Sequence, residues 1–314
     1  MQPTKIIYVD WWMPRKARGS RSKVKKPWEI ALIIRSVFFA KEYNSLSPIL
    51  YCDPEIYEYY KDIGLDSFFD EVRPILSTNP DFDPSVFWSA GKFQAILDMN
   101  EPFVMMDLDA EVRFEMDLSD CDVFCAHLEE INDNDLVYYP HPTYLGQNYL
   151  VNKYGNDWPN LAYNTSILYF NNIETAHEYA NEALSFIRSI GTIDPAFERG
   201  YILLAEQRFL HKMCVDKELK VKTLISGVYK TEDPLRKIPA HFEDSDVEEI
   251  GQKGFLHVWG FKNKLNNQEE VEYELFGNLL SSRLNLKDDI ISCVRKNREL
   301  YSDETKKVND SIDK

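Results

Sequence analysis

Phe103-Val104-Met105-Met106-Asp107-Leu108-Asp109-Ala110-Glu111-Val112 is the stretch on which the reading of this chain turns. Four apolar residues run straight into two carboxylates spaced i, i+2, with a third acid at Glu111. Such a run reads as a buried strand whose carboxyl end emerges at the acids. In open α/β sheets, ligands bind at that edge. If the strand continues, period-2 geometry puts Asp107, Asp109 and Glu111 on one side. Like charges so placed repel unless something positive lies among them, and a divalent metal is one answer. An acidic strand end bathed in water is the other. An isolated Asp-x-Asp does not choose between them.

The rest of the chain bounds the problem. Its 314 residues suffice for one large domain or two small ones. Apolar content of 44% and aromatic content of 13% belong to a globular protein rather than a disordered one. The 52 acids against 36 bases give a net charge of −16, which argues against broad nucleic-acid binding. Five cysteines, with no Cys-x-x-Cys among them, argue against a zinc site or a disulfide framework. The apolar stretch before Asp10 is too short for a signal peptide, and nothing approaches the ~20 apolar residues of a transmembrane helix. A soluble cytoplasmic protein without a transmembrane segment is the expectation.

Read from the start, Lys5 to Val9 is a buried first strand ending at Asp10. Residues 14–28 form a loop rich in Gly, Ser and Pro. They carry Arg15, Lys16, Arg18, Arg21, Lys23, Lys25 and Lys26 with no acid. Such a patch suits either solubility or contact with phosphates or an anionic acceptor. Residues 28–43 predict a well-buried helix and Ser47 to Asp53 a second strand. Pro54 opens a helix that Gly64 stops. Val72 to Leu76 predicts a third strand and residues 86–98 a helix carrying Lys92. Strand–helix alternation of this kind predicts a mostly parallel, helix-flanked sheet.

Cys121 to His127 predicts another strand. Residues 129–160 form a long polar insertion in which Tyr138, Tyr139, Tyr144, Tyr149, Tyr154 and Trp158 are interleaved with amides and His141. That mixture suits stacking on sugar rings, and equally a self-packed surface loop. Tyr163 to Asn172 predicts a strand with Asn164 and Thr165 at its start. A helix is expected over 174–189, and another over 201–212 carries Glu206 and Gln207. Val215 to Ile238 reads as strand and loop. Phe255-Leu256-His257-Val258-Trp259-Gly260-Phe261-Lys262 then delivers a His, a Gly and a Lys at i, i+3 and i+5. A lone His of this kind is more often a core residue than a ligand. Glycine, however, lets backbone approach a phosphate, and lysine neutralises it.

The order Asp-x-Asp, Asn-Thr-x-x-x-x-Phe-Asn, Glu-Gln and His-x-x-Gly-x-Lys resembles nucleotide-sugar glycosyltransferases of the GT-A fold. It is closest to the family 8 pattern of glycogenin and the bacterial lipopolysaccharide galactosyltransferases. The resemblance spans roughly residues 5–265. It implies an α/β, Rossmann-like GT-A domain over 1–265, followed by a C-terminal helical segment and polar tail over 266–314. It implies Asp107, Asp109 and His257 as ligands of Mn²⁺ or Mg²⁺, with Asp107 also at the nucleotide. Gly260 and Lys262 would receive the diphosphate, and Lys92 would contact donor sugar or phosphate. Tyr8 and Asp10 would lie by the base, Asn164 beside the reacting sugar, and Glu206 and Gln207 at the anomeric carbon.

The donor implied is a nucleoside-diphosphate sugar, first of all a UDP-sugar. The acceptor would be a glycan, a lipid-linked sugar or a protein, in surface polysaccharide or glycoconjugate synthesis. Two departures stand out: the family's closing Lys-Pro-Trp is Lys262-Asn263-Lys264 here, and the usual Asp before the Gln is Glu206. A retaining hexosyltransferase is the reading. In an inverting enzyme Glu206 would be the candidate base. An Asp-x-Asp phosphohydrolase is set aside because its pair follows the first strand. An inactive nucleotide-sugar-binding or interaction protein with the same fold is the alternative. The 11 acids and 8 bases from Glu269 to the end suit packing on the domain or a partner rather than on a membrane surface.

Overall fold

The computed structural model describes residues 2–132, 139–143, 145, 148–231, 254–257 and 287–312. The first strand, β1 (Lys5–Asp10), pairs in parallel with β2 (Ser47–Cys52) and β4 (Phe103–Met106), and β2 pairs with β3 (Glu71–Arg73). Strand β7 (Leu161–Phe170) runs antiparallel to both β4 and β6 (Val123–Glu130). Short strands β8 (Val221–Thr223) and β9 (Val228–Lys230) lie parallel to β6. The order β3-β2-β1-β4-β7-β6-β8 is a mixed, mostly parallel sheet, the α/β Rossmann-like architecture expected from the sequence.

The strands have two buried faces, and alternation sorts their residues between them. Ile6, Tyr8, Leu50, Val104 and Met106 pack with helices α2 (Pro27–Asn44) and α3 (Pro54–Ile63). Ile7, Ile49, Tyr51, Phe103 and Met105 pack with α4 (Ala90–Asp98), α6 (Ile173–Ser189) and α8 (Phe209–Asp216). Between α6 and α8 lie α7 (Glu198–Leu203) and a π-helical turn over Leu204–Arg208. Two short helices also occur, α1 (Met13–Ala17) after β1 and α5 (Asn148–Tyr154) before β7 in chain order. All five cysteines are free and buried.

Several boundaries differ from the sequence reading for local reasons. Asp53 does not extend β2; its carboxylate accepts the amide hydrogens of Glu55 and Ile56 and caps α3. The third strand is shorter than 72–76, and α4 starts at Ala90 rather than 86. The helix expected over 201–212 runs from 198 to 216 but opens into a π turn at its middle. The polar tail forms part of α9 (Lys287–Ile312), so helix continues well beyond Tyr301. Its Ile290, Cys293 and Val294 join the α2/α3 side of the core. The boundary expected at 265/266, and the insertion residues Tyr138, Tyr144 and Gly146, lie outside the described residues. No helix among the described residues is long and apolar enough to cross a membrane.

Strand order decides where a ligand can sit. Successive elements build outward from β1 to β3, and the chain then returns to place β4 on the other side of β1. Between the carboxyl ends of β1 and β4 the connections diverge, leaving a crevice. Asp10 closes one strand there and Asp107 follows the other.

Candidate metal and substrate site

A cleft of about 330 Å³ opens at that switch point. Asp107, Leu108 and Asp109 line it together with Asp10, Trp11, Arg15, Arg18 and Lys25. Trp28, Trp88 and Lys92 also border it.

The Asp-x-Asp segment is a turn, not a continued strand. The amide of Asp107 donates to Ser166 O at 2.8 Å, and the amide of Ala110 donates back to Asp107 O at 3.0 Å. Only then does β5 (Ala110–Val112) begin, and it pairs antiparallel with β10 (Phe255–His257). The register sets His257 opposite Ala110, one residue beyond Asp109. A glycine is required at the start of β10. Gly254 has φ +78°, and an added Cβ would lie 3.2 Å from Arg113 Cβ. Thus two segments far apart in sequence meet in one short antiparallel ladder.

The consequence is a three-residue cluster. His257 Nε2 lies 3.7 Å from Asp107 Oδ2 and 3.7 Å from Asp109 Oδ1. One donor atom from each residue falls within 4.8 Å of the others. Donor atoms sharing an ion with bonds of about 2.1 Å sit roughly 3–4.4 Å apart, and both His257–carboxylate separations of 3.7 Å fall in that range. Glu111 is not a fourth member. Because the strand breaks at the turn, Glu111 is carried to the α2 side and is wholly buried. There it accepts from Arg35 Nε at 2.6 Å and from Arg113 Nη2 at 2.9 Å.

Lys92 joins this cluster to the π turn. Its ammonium lies 2.7 Å from Asp107 Oδ1 and 2.8 Å from Glu206 Oε1. Burial alone would favour loss of its proton, but Asp107 and Glu206 outweigh that and hold it charged beyond the usual lysine range. Glu206 is itself buried, and its Oε1 also accepts from Thr165 Oγ1 at 2.6 Å. Its Oε2 has no hydrogen-bond partner among the described residues. The backbone carbonyl of Glu206 accepts from the Tyr179 hydroxyl at 2.7 Å. π turns leave irregular backbone geometry that is common at functional sites, and this one carries Glu206 and Gln207 together.

Asp10, also on the cleft lining, is buried in a cationic setting. Lys25 Nζ lies 3.1 Å from Asp10 Oδ2 and Arg15 Nη2 3.7 Å from Asp10 Oδ1. The Tyr60 hydroxyl donates to Oδ2 at 2.5 Å. Burial would raise the Asp10 carboxyl, yet Lys25 and Arg15 hold it below the ordinary aspartate range. The basic loop is therefore not wholly a solvated arm: Arg15, Arg18 and Lys25 form a wall of the cleft. Arg18 is anchored there by donating to Ser85 O through Nε at 2.8 Å. Lys25 is fixed from beneath, since its amide donates to Tyr59 Oη and its carbonyl accepts from Asn297 of α9.

Other expected residues fall elsewhere. Tyr8 does not reach the cleft: it is fully buried under α2, and its hydroxyl donates to Ser36 O at 3.2 Å. Alternation carries Asp10 to the same side, but Asp10 ends the strand and borders the cleft while Tyr8 stays covered. Asn164 is buried, donating from Nδ2 to Glu129 Oε1 at 2.9 Å. Tyr139 and Trp158, for which sugar stacking and self-packing were both open, are buried, as self-packing requires. Tyr139 meets both Glu129 and Gln207 through its hydroxyl. Gly260 and Lys262 lie outside the described residues. Sequence reading missed Glu129, Trp28 and Trp88 as neighbours of the site, because an acid or a tryptophan carries no local signal of what it faces.

The fold and this site define an α/β protein with an acidic–histidine cluster at the mouth of a Rossmann-like sheet. The profile of the family of unknown function DUF6734 matches residues 32–280, and the chain belongs to that family. No curated protein matches the chain. Among solved structures it is similar to mouse xyloside xylosyltransferase 1 in its apo form. That match has 10% identity and a TM-score of 0.36, covering 72% of this chain and 86% of that one. It is also similar to the galactosyltransferase LgtC in complex with donor and acceptor sugar analogues. There the identity is 11% and the TM-score 0.31, over 64% of this chain and 69% of that one.

Proposed function

We propose that this protein is a metal-dependent glycosyltransferase that moves a sugar from a nucleoside-diphosphate sugar, first of all a UDP-sugar, to a glycan, lipid-linked or protein acceptor. The observation that carries the reading is the convergence of Asp107, Asp109 and His257 at the carboxyl edge of the sheet. These three would hold Mn²⁺ or Mg²⁺, the histidine favouring Mn²⁺. When bound, the cation supplies Lewis-acid stabilisation of the charge that builds on the leaving diphosphate.

The chain's own residues supply the rest. Lys92 fixes the rotamer of Asp107 and so holds one carboxylate toward the metal position. Arg15, Arg18 and Lys25 bring positive charge to the lining of the cleft, which suits a phosphate-bearing substrate. Glycosyl transfer passes through a cation-like sugar, so a buried carboxylate and an amide nearby are chemically apt. Glu206 already accepts from Lys92 and Thr165 and is closed to solvent, which disfavours it as the base of an inverting reaction. Gln207, half-buried beside it, is the better group to face the reacting sugar in a retaining reaction. Gly260 and Lys262 are proposed for the diphosphate on the family pattern.

The test is a panel of UDP- and GDP-sugars assayed with Mn²⁺ for hydrolysis and for thermal stabilisation. The reading expects one donor to be hydrolysed slowly with Mn²⁺ and not with a chelator present. A donor that stabilises the protein but is never turned over would favour a binding protein on the same fold.

A further inference from the structure

Beneath Gln207 lies a buried polar network that the metal cluster does not use. Glu129, on β6, is 2% exposed and collects donors on both oxygens. Its Oε1 accepts from Asn164 Nδ2 at 2.9 Å and lies 3.4 Å from His127 Nε2. The Tyr139 hydroxyl reaches its Oε2, and the same hydroxyl reaches the carboxamide of Gln207. Asn164 cannot turn over, because its Oδ1 accepts the Ser166 amide at 3.1 Å.

Hydrogen counting decides how this network is wired. A phenol carries one hydrogen, and a carboxylate carries none. Placed with Oε1 toward Tyr139, Gln207 would give that hydroxyl two acceptors and a single proton. The oxygen and nitrogen of a carboxamide exchange places by a half-turn, so the partners dictate which end faces which. Glu129 is the stronger acceptor. Burial would raise its carboxyl, but His127, Tyr139 and Asn164 outweigh that and keep it below the usual glutamate range.

We infer that Tyr139 donates its proton to Glu129, receives a hydrogen from Nε2 of Gln207, and so turns the Gln207 carbonyl oxygen away from itself. Tyr139 and Glu129 are positioning residues: neither need touch a substrate. Resting on the glycosyltransferase reading, the orientation presents the negative end of the amide dipole to a sugar that becomes cation-like during transfer. The opposite orientation would present N–H hydrogens and repel that charge. The Glu129–Tyr139 pair thus selects the working face of Gln207, and it does so from strand β6 and the insertion rather than from the π turn itself.

Two variants invert or release the switch. In Glu129→Gln the new amide must face Asn164 with its oxygen, leaving its NH₂ to donate to the Tyr139 oxygen. The phenol proton then passes to Gln207, whose amide turns over. Tyr139→Phe keeps the ring and removes the partner. The experiment is hydrogen exchange of the Gln207 side-chain amide in ¹⁵N-glutamine-labelled full-length protein, assigned by its loss in Gln207→Ala. The expected result is a Gln207 NH₂ proton protected in the parent and unprotected in both variants, with melting by circular dichroism confirming that each is folded. A Gln207 amide that exchanges freely in the parent, or that stays protected in Tyr139→Phe, overturns the inference.

This readout needs no donor, so it stands apart from the proposed function. The kinetic arm uses hydrolysis of UDP-glucose with Mn²⁺, or of whichever panel donor is turned over. Both variants should lose about 10²-fold in kcat with the donor KM unchanged, the pattern of a misplaced reacting group. A rise in KM at constant kcat would assign the pair a binding role and contradict positioning. If the parent hydrolyses no donor, the transferase reading fails while the exchange result still decides the orientation.

Discussion

Arg35 and Glu111 form an ion pair, Nε to Oε1 at 2.6 Å, with Arg35 nearly and Glu111 wholly removed from solvent. It ties α2 to β5, the strand on which β10 lays His257 beside the Asp-x-Asp turn. Removing one member of a buried pair leaves the other charge unpaired and costs about 3–5 kcal/mol. Glu111→Ala should therefore lower the unfolding free energy, measured by chemical denaturation, by that amount. The double replacement Arg35→Met with Glu111→Met should recover most of the loss, because two apolar side chains strand no charge. Equal destabilisation of the single and double variants would show that the loss does not come from a stranded charge.

A second stability prediction concerns the bridge at Lys92. Lys92→Met strands Glu206, whose remaining neighbours supply one neutral donor, Thr165. We expect a loss of about 3 kcal/mol in that variant. Adding Glu206→Gln should recover part of the loss, since a neutral amide is cheaper to bury. A double-mutant cycle with zero coupling would contradict the ion pair.

His211 should make the protein acid-sensitive. Burial first, and Arg208 second, push its ring from 6.5 down to about 4, so it is neutral in the folded protein. Above pH 6.5 neither folded nor unfolded chain protonates it and it makes no difference. As pH falls from 6.5 to about 4 the unfolded chain takes up a proton that the folded chain refuses, and stability declines. The loss levels off below that, at up to ~3 kcal/mol. His211→Gln should flatten this part of the stability–pH curve; an unchanged slope would place the sensitivity elsewhere.

How much of this was legible in the sequence follows from range. The apolar runs around Ile6, Leu50 and Val104 announced strands because two-sided burial leaves continuous hydrophobic stretches. Asp107 and Asp109 were legible as a strand end, and the pairing with His257 came from motif order. The turn that diverts Glu111 was not, since alternation assumes an unbroken strand. Tyr8 was misplaced for the opposite reason: its residue type suited a base-binding role, while its depth in β1 was a matter of what α2 covers. The Tyr139–Glu129–Gln207 wiring was invisible, because it joins an insertion, a strand and a π turn through hydrogen counting that only coordinates expose.

If Asp107, Asp109 and His257 act together as a metal site for a nucleoside diphosphate, UDP binding depends on the metal. Calorimetric titration of UDP into the full-length protein, with and without Mn²⁺, measures that dependence. Binding should require Mn²⁺ in the parent and be lost in Asp109→Asn and His257→Ala, each with its fold intact by circular dichroism. UDP affinity that is the same with Mn²⁺, with chelator and in His257→Ala would contradict a metal site there.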